Sequence, residues 1–411
     1  MAYRITPPEA LRGSIGLPAS KSISNRALII HRLADGTHPL HNLAECDDTQ
    51  VMVRALRDGQ ADTVDIQAAG TAMRFLTAYY AATPGCHTLT GTPRMRQRPI
   101  RILVDALRRL GADIAYAGEE GFPPLRIHGK ELDGGELEMA GNVSSQYVSA
   151  LLLIAPTLRR GLRLRLEGDI VSRPYIDLTL GLMRRFGAEA GWQDDHCLQV
   201  APGRYCTVPF RVESDWSAAS YWYEMLALAP AGEVELTGLF ADSLQGDSHV
   251  GRLFAPLGVS TRFHDGGATL VKTTPTLSRM DNDFVDQPDL AQTFVVTCAL
   301  LGIPFRFSGL QSLKIKETDR LAALTCEMRK LGYVLYEEGG SVLRWEGERC
   351  APHTRPAIDT YEDHRMAMAF SPACLVRGDL VVNHPQVVSK SYPRFWADLQ
   401  QTGFTLQEMA D

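Results

Sequence analysis

Residues 20–36 read SKSISNRALIIHRLADG, and much of the chain is a variation on this stretch. Its second half predicts a buried helix, with Ala27, Leu28, Ile29, Ile30 and Leu33 as core and Gly36 as a C-terminal stop. Its first half is small, hydroxylated and cationic. Ser20 suits an N-cap, but Lys21 then falls in the first turn, where the helix dipole disfavours a positive charge. A lysine belongs there if an anion sits between the helix N–H groups and the ammonium. A surface lysine beside a serine cap is the plainer reading, and the rest of the chain has to choose between them.

The pattern recurs. Helices apolar nearly all round are predicted over Ser20 to Gly36, Gly70 to Gly85, Ser144 to Gly161, Asp215 to Gly232, Asp289 to Gly302 and Asp363 to Gly378. Between them run amphipathic helices closed by glycine: Val51 to Gly59, Ile102 to Gly111, Leu178 to Gly187, Gly251 to Gly258, Ala323 to Gly332 and Trp396 to Gly403. In the second of these, Leu103, Leu107 and Leu110 form the apolar face and Arg108 and Arg109 the wet one. The closing glycines lie 52, 76, 71, 74 and 71 residues apart, a repeat of six units. Three units per half predict two similar domains of helices packed on sheets. The first unit is short: Gly59 to Gly70 spans 11 residues where the equivalent intervals span 31 to 33, so a trimmed sheet is expected there. Packing explains the apolar bodies of the buried helices but not the polar motifs at their starts. If those starts converge, their dipoles point positive potential into one cleft.

Bulk properties narrow the class. At 411 residues, two or more domains are expected, and the 45% hydrophobic, 22% charged composition is that of a soluble globular protein. A net charge of −6 argues against a nucleic-acid or anionic-membrane binder, and no signal or membrane segment is predicted. The eight cysteines show no metal-ligand spacing, and those in apolar context (Cys298, Cys326, Cys374) are expected as reduced core residues of a cytoplasmic protein. Of 42 basic residues only seven are lysine: Lys21, Lys130, Lys272, Lys314, Lys316, Lys330 and Lys390. A chain so biased to arginine can keep lysine where a compact, titratable ammonium is needed.

Candidate chemistry lies at the helix starts. Besides Lys21 and Arg26, PRMRQRPIR supplies Arg98 among four arginines, and KIKETDR supplies Lys316, Glu317, Asp319 and Arg320. YEDHRMAM supplies Asp363, His364 and Arg365, and VSKSYP supplies Lys390. On one helix Lys316 and Arg320 would share a face and repel unless an anion lay between them. No phosphate-binding glycine loop, nucleophile elbow or zinc motif is present. Many cations, few carboxylates, one motif histidine and no metal site or cofactor suit binding two polyanionic small molecules and moving protons between them.

PASKSISNRAL, AGTAMRFL, PRMRQRPI, NVSSQYVSALL, VSRPYIDLT, IKETDRLAAL, YEDHRMAMAFS and VSKSYP together resemble the 5-enolpyruvylshikimate-3-phosphate synthase family, collinearly from about residue 11 to the C-terminus. The resemblance implies an α/β (α+β) fold of two hinged domains, each of three βαβαββ units around buried parallel helices in an inside-out barrel. The expected boundaries are 1–19 plus 214–411 for one domain and 20–213, with the shortened unit, for the other. It also implies transfer of the enolpyruvyl group of phosphoenolpyruvate to the 5-hydroxyl of shikimate 3-phosphate, a step of chorismate and aromatic amino-acid biosynthesis, by a cytoplasmic, metal-independent monomer. By position, the shikimate 3-phosphate contacts are Lys21, Ser22, Arg26, Ser144, Ser145, Gln146, Ser172, Tyr175, Asp289, Ser312 and Lys316. The phosphoenolpyruvate contacts are Lys21, Gly70, Arg98, Gln146, Arg320, Arg365 and Lys390. The implied catalytic groups are Asp289 at the 5-hydroxyl proton, Glu317 with Lys21 at the methylene carbon, and His364 assisting. Lys316 and Arg320 are expected to flank Glu317 and keep it ionised.

The sequence departs from the family pattern at Ala19, Ala68, Phe75, Arg173, Ser312 and Glu362; asparagine is usual at 68, 312 and 362. Gly70 is kept, so glyphosate, the family's inhibitor at the phosphoenolpyruvate site, is expected to enter. A sister transferase acting on a UDP-amino sugar would carry a reactive loop cysteine, but Cys86 sits in TPGCHT outside any matching motif. A non-catalytic ligand-binding homologue would have shed catalytic positions, and Lys21, Arg98, Asp289, Glu317, Arg320, His364, Arg365 and Lys390 are all present.

Overall fold

The computed structural model describes residues 1–34, 36, 38–57 and 61–409. Gly59, the predicted stop of the first amphipathic helix, lies outside the described residues. The chain divides into two compact units. One is discontinuous, Met1–Pro18 with Glu213–Asp411; the other, Ala19–Val212, is inserted within it.

One construction recurs in both. A strand leads into a buried helix, which crosses back to a second strand parallel to the first, as a parallel pair requires. An amphipathic helix then delivers two further antiparallel strands. In the discontinuous unit, Met280–Asp283 pairs in parallel with Phe305–Ser308, which pairs antiparallel with Val342–Trp345, itself antiparallel to Tyr336–Glu338. In the inserted unit the same 1-2-4-3 order joins Thr63–Asp65, Gly85–Thr90, Leu125–Gly129 and Asp113–Tyr116. Among the described residues there are five four-stranded sheets and one two-stranded pair, Leu40–His41 beside Phe210–Arg211. After the helix Asp47–Arg57 that follows Leu40–His41, the next described strand, Thr63–Asp65, already belongs to another sheet.

The buried helices form the centre of each unit. In the discontinuous unit Trp216–Leu228, Ala291–Leu301 and His364–Phe370 pack on one another; in the inserted unit Lys21–Leu33, Gly70–Ala82 and Ser145–Ile154 do so. Every residue of His364–Phe370 is buried, and only Ser217 of Trp216–Leu228 is not. Rings dominate one core: Phe294 lies 4.5 Å from Phe254 and 5.3 Å from Phe284, centroid to centroid. Each such side chain contributes about 1.5–3 kcal/mol of burial. The amphipathic helices instead bury one stripe, as in Arg101–Arg109, where Leu103, Val104, Ala106 and Leu107 face inward. The glycines closing these helices include Gly111 and Gly332, at φ of 102° and 96°, a left-handed conformation that any Cβ would strain. Cys298 and Cys374 are buried, but Cys326 is exposed, contrary to expectation: it falls on the wet face of Arg320–Lys330. No helix among the described residues is long and apolar enough to cross a membrane.

Candidate active site

In the discontinuous unit, three carboxylates and four cations gather at the starts of the buried helices. Arg320, 1% exposed, is the hub. Its guanidinium donates to Asp363 (Nε, 2.7 Å), Asp289 (Nη1, 3.1 Å) and Glu317 (Nη2, 3.0 Å). Asp289 also meets Arg365 at 2.9 Å and Lys316 at 3.4 Å, and Glu317 meets Lys390 at 3.7 Å. Burial pushes the Asp289 pKa up, but Arg365, Lys316 and Arg320 more than reverse this and leave it well below 3.8. Asp363 caps His364–Phe370 by accepting from the Arg365 N–H at 2.9 Å, so one buried carboxylate fixes both a helix start and Arg320. His364 is 2% exposed, with Nδ1 3.8 Å from Asp363. Ser312 lies in the 3-10 turn Gln311–Ile315, just before Lys316.

Two expectations are corrected here. Lys316 and Arg320 do not share a helix: Asp319 accepts from the N–H groups of Leu321 and Ala322 and starts the helix at Arg320. Lys316 therefore precedes it and turns to Asp289, so Glu317 is flanked by Arg320 and Lys390 instead. The anion between Lys316 and Arg320 is the Asp289 carboxylate.

In the inserted unit, Ser20 caps Lys21–Leu33 by accepting from the Ile23 N–H, and Lys21 reaches Asp48 at 3.4 Å. Arg26 is 2% exposed and donates to Thr179 Oγ1 (2.7 Å), the Ser22 carbonyl (2.9 Å), Ser149 Oγ (3.1 Å) and the Tyr175 carbonyl (3.4 Å). Every one of these acceptors is neutral. Burial lowers its pKa to about 10. Ser144 caps Ser145–Ile154, and Gln146 donates to Thr71 Oγ1 at 3.2 Å, tying together the starts of two buried helices. Ser172, buried, begins Arg173–Arg185 in the left-handed region at φ 56°. Of the four arginines in PRMRQRPIR, Arg101 turns to Glu120 (2.7 Å) and Arg96 to the Gly91 carbonyl (3.0 Å). Arg98 lies against Gly70, where a Cβ would stand 2.8 Å from its Nη1.

Sequence reasoning missed Asp48 and the role of Asp363. Asp48 carried only the weak signal of an acidic first turn, in Asp47–Arg57. Asp363 stood in a recognised motif, but its double duty is visible only once Arg320 is placed beside it.

The sequence matches the EPSP synthase (3-phosphoshikimate 1-carboxyvinyltransferase) family over residues 5–63 and 58–399. The chain belongs to this family. It is 60% identical over 407 residues to the 3-phosphoshikimate 1-carboxyvinyltransferase of Bacteroides fragilis, covering 99% of both chains. To that of Shewanella halifaxensis it is 37% identical over 420 residues, covering 96% and 97%. In fold it is similar to EPSP synthase from Acinetobacter baumannii, with a TM-score of 0.79 at 20% identity over 99% of this chain and all of the other.

Proposed function

We propose that this enzyme joins the enolpyruvyl group of phosphoenolpyruvate to the 5-hydroxyl of shikimate 3-phosphate and releases inorganic phosphate. The observation that carries the mechanism is the Asp289 carboxylate held by three cations. So held, it is a poor base. The carboxylate and phosphate of phosphoenolpyruvate compete for Arg320, Arg365 and Lys390, while the shikimate phosphate draws on Lys316 and Arg26. As its cations turn to substrate, burial returns Asp289 toward basicity, so a competent base forms only on a loaded site.

Glu317 likewise takes up a proton from solvent once Arg320 and Lys390 turn to substrate. The 5-hydroxyl then loses its proton to Asp289 as its oxygen bonds to C2 of phosphoenolpyruvate, and C3 takes the proton that Glu317 carries, assisted by Lys21. In the tetrahedral adduct the bond from C2 to the phosphate oxygen breaks, phosphate leaves with that electron pair, and C3 returns its proton to Glu317. His364 assists proton movement beside Asp363. Ser22, Ser144, Ser145, Gln146, Ser172, Tyr175 and Ser312 complete the shikimate 3-phosphate contacts. Gly70, Arg98 and Gln146 complete those of phosphoenolpyruvate, where glyphosate competes. The 1-2-4-3 sheets and central helices support reading each unit as three βαβαββ repeats, one shortened at Leu40–His41. The enzyme acts as a monomer in the cytoplasm.

Phosphate release from purified enzyme, with each substrate omitted in turn, tests the reading. Release that requires both, and persists with chelator, is expected. Release from phosphoenolpyruvate alone refutes it, as does no release when both bind. Glu317→Gln should retain substrate binding and lose at least about a hundredfold in turnover; unchanged turnover removes Glu317 from the chemistry.

A further inference from the structure

Two consecutive non-glycine residues immediately before the Asp363-His364-Arg365 motif are left-handed: Tyr361 at φ 53° and Glu362 at φ 57°. The Asp363 N–H donates to the Thr360 carbonyl at 2.8 Å, closing a tight turn over them. Paired positive φ is the requirement of a type I′ turn, ordinarily met by glycine, asparagine or aspartate. Tyrosine and glutamate have no such preference, so something outside the turn must hold it.

The hold comes from the helix Arg320–Lys330. Its Glu327, fully buried, accepts from the Tyr361 hydroxyl at 2.6 Å and from the Asp359 N–H at 3.1 Å. Lys330 closes the group, 2.8 Å from both Glu327 and Asp359. Seven residues earlier on the same helix, Arg320 holds Asp363 beyond the turn. One helix thus grips the turn on both sides. Tyr361 is 37% exposed, and its hydroxyl reaches inward to a carboxylate of 0% exposure. What the turn delivers is Arg365, whose N–H binds Asp363 and whose guanidinium binds Asp289.

We infer that Tyr361 is a positioning residue for phosphoenolpyruvate binding: its hydrogen bond to Glu327 keeps the strained turn closed and so sets the position of Arg365. The inference rests on the reading that Arg365 contacts phosphoenolpyruvate. Glu362, where the family pattern has asparagine, leaves this turn more dependent on the Tyr361 bond.

Steady-state phosphate release tests it. Tyr361→Phe should raise the KM for phosphoenolpyruvate about tenfold, the worth of a hydrogen bond to a charged group, and leave the KM for shikimate 3-phosphate unchanged. A general loosening would lower the active fraction or raise both KM values together, and either result overturns the inference. Adding Glu362→Asn relieves the strain at its source, so the double variant should recover a phosphoenolpyruvate KM within about threefold of the parent. Absence of rescue overturns it. Glu327→Gln weakens the same bond from the other side and must shift the same KM, so the test survives if Tyr361→Phe does not fold. Arg365→Ala run alongside separates the two readings. If it raises the phosphoenolpyruvate KM and Tyr361→Phe does not, only the inference falls; if it does not, both fall.

Discussion

Replacing Gly70 by alanine should damage phosphoenolpyruvate binding while sparing the fold. The new Cβ would stand 2.8 Å from Arg98 Nη1 and 3.2 Å from both Arg98 Cζ and Arg74 Nη1. An unstrained contact needs about 3.5 Å, so the Arg98 guanidinium must retreat by roughly 0.7 Å. Arg98 is only half-buried and its head sits at the end of a flexible chain, so the retreat costs the folded state little. Gly70 opens the helix Gly70–Ala82 with an ordinary φ, where alanine contributes about 0.4–1 kcal/mol by restricting the unfolded chain. Thermal stability should therefore hold or rise. Function should not: a misplacement approaching 1 Å costs on the order of tenfold to a hundredfold in kcat/KM. Steady-state kinetics with each substrate varied, alongside a thermal melt, decide the matter. The expected result is a phosphoenolpyruvate-specific loss with an unchanged melt. An unchanged KM would mean that Arg98 does not hold that substrate. A melt lowered by many degrees would mean that the helix, not the guanidinium, had yielded.

Other outcomes follow from the buried charges. Asp363→Ala removes a helix cap and the carboxylate at Arg320 Nε, leaving Asp289 and Glu317 on that guanidinium, so equilibrium denaturation should show a loss of about 2–4 kcal/mol; a loss below 1 kcal/mol would contradict the hub role of Arg320. Glu224 is fully buried on Trp216–Leu228, and burial raises its pKa well above 4.5. The folded state thus binds its proton more tightly than the unfolded state, and the associated stability is present below pH 4.5 and lost as pH rises through the folded pKa. Glu224→Met should gain stability over the parent by up to about 1.4 kcal/mol per pH unit across that window. A difference between their melting curves that stays constant from pH 5 to 8 would refute this.

What could be read from the sequence was local. Ser20, Ser144, Asp215 and Asp363 precede apolar runs, and each caps the helix expected of it, because capping needs only a short acceptor at the right spacing. Which cation meets which carboxylate was not legible. Lys316 turned to Asp289 rather than Glu317 because Asp319 moved the helix start by a few residues, and 27 residues separate Lys316 from Asp289 in sequence. The turn at Tyr361 and Glu362 was hidden for a related reason. Neither residue favours positive φ, and the bond that enforces it comes from Glu327, 34 residues upstream.

The discontinuity of one unit bears on how the molecule is made. Strand Ala2–Thr6 lies between Leu380–Asn383 and Thr405–Met409, with Ala2 paired to Met409. Its partners leave the ribosome about 20–80 s after it does, at ordinary rates of synthesis. Ala19–Val212 is contiguous and can fold meanwhile. Ala2–Thr6 is therefore made long before either of its partners, and a nascent chain must carry it with both edges open until Leu380–Asn383 and Thr405–Met409 have emerged.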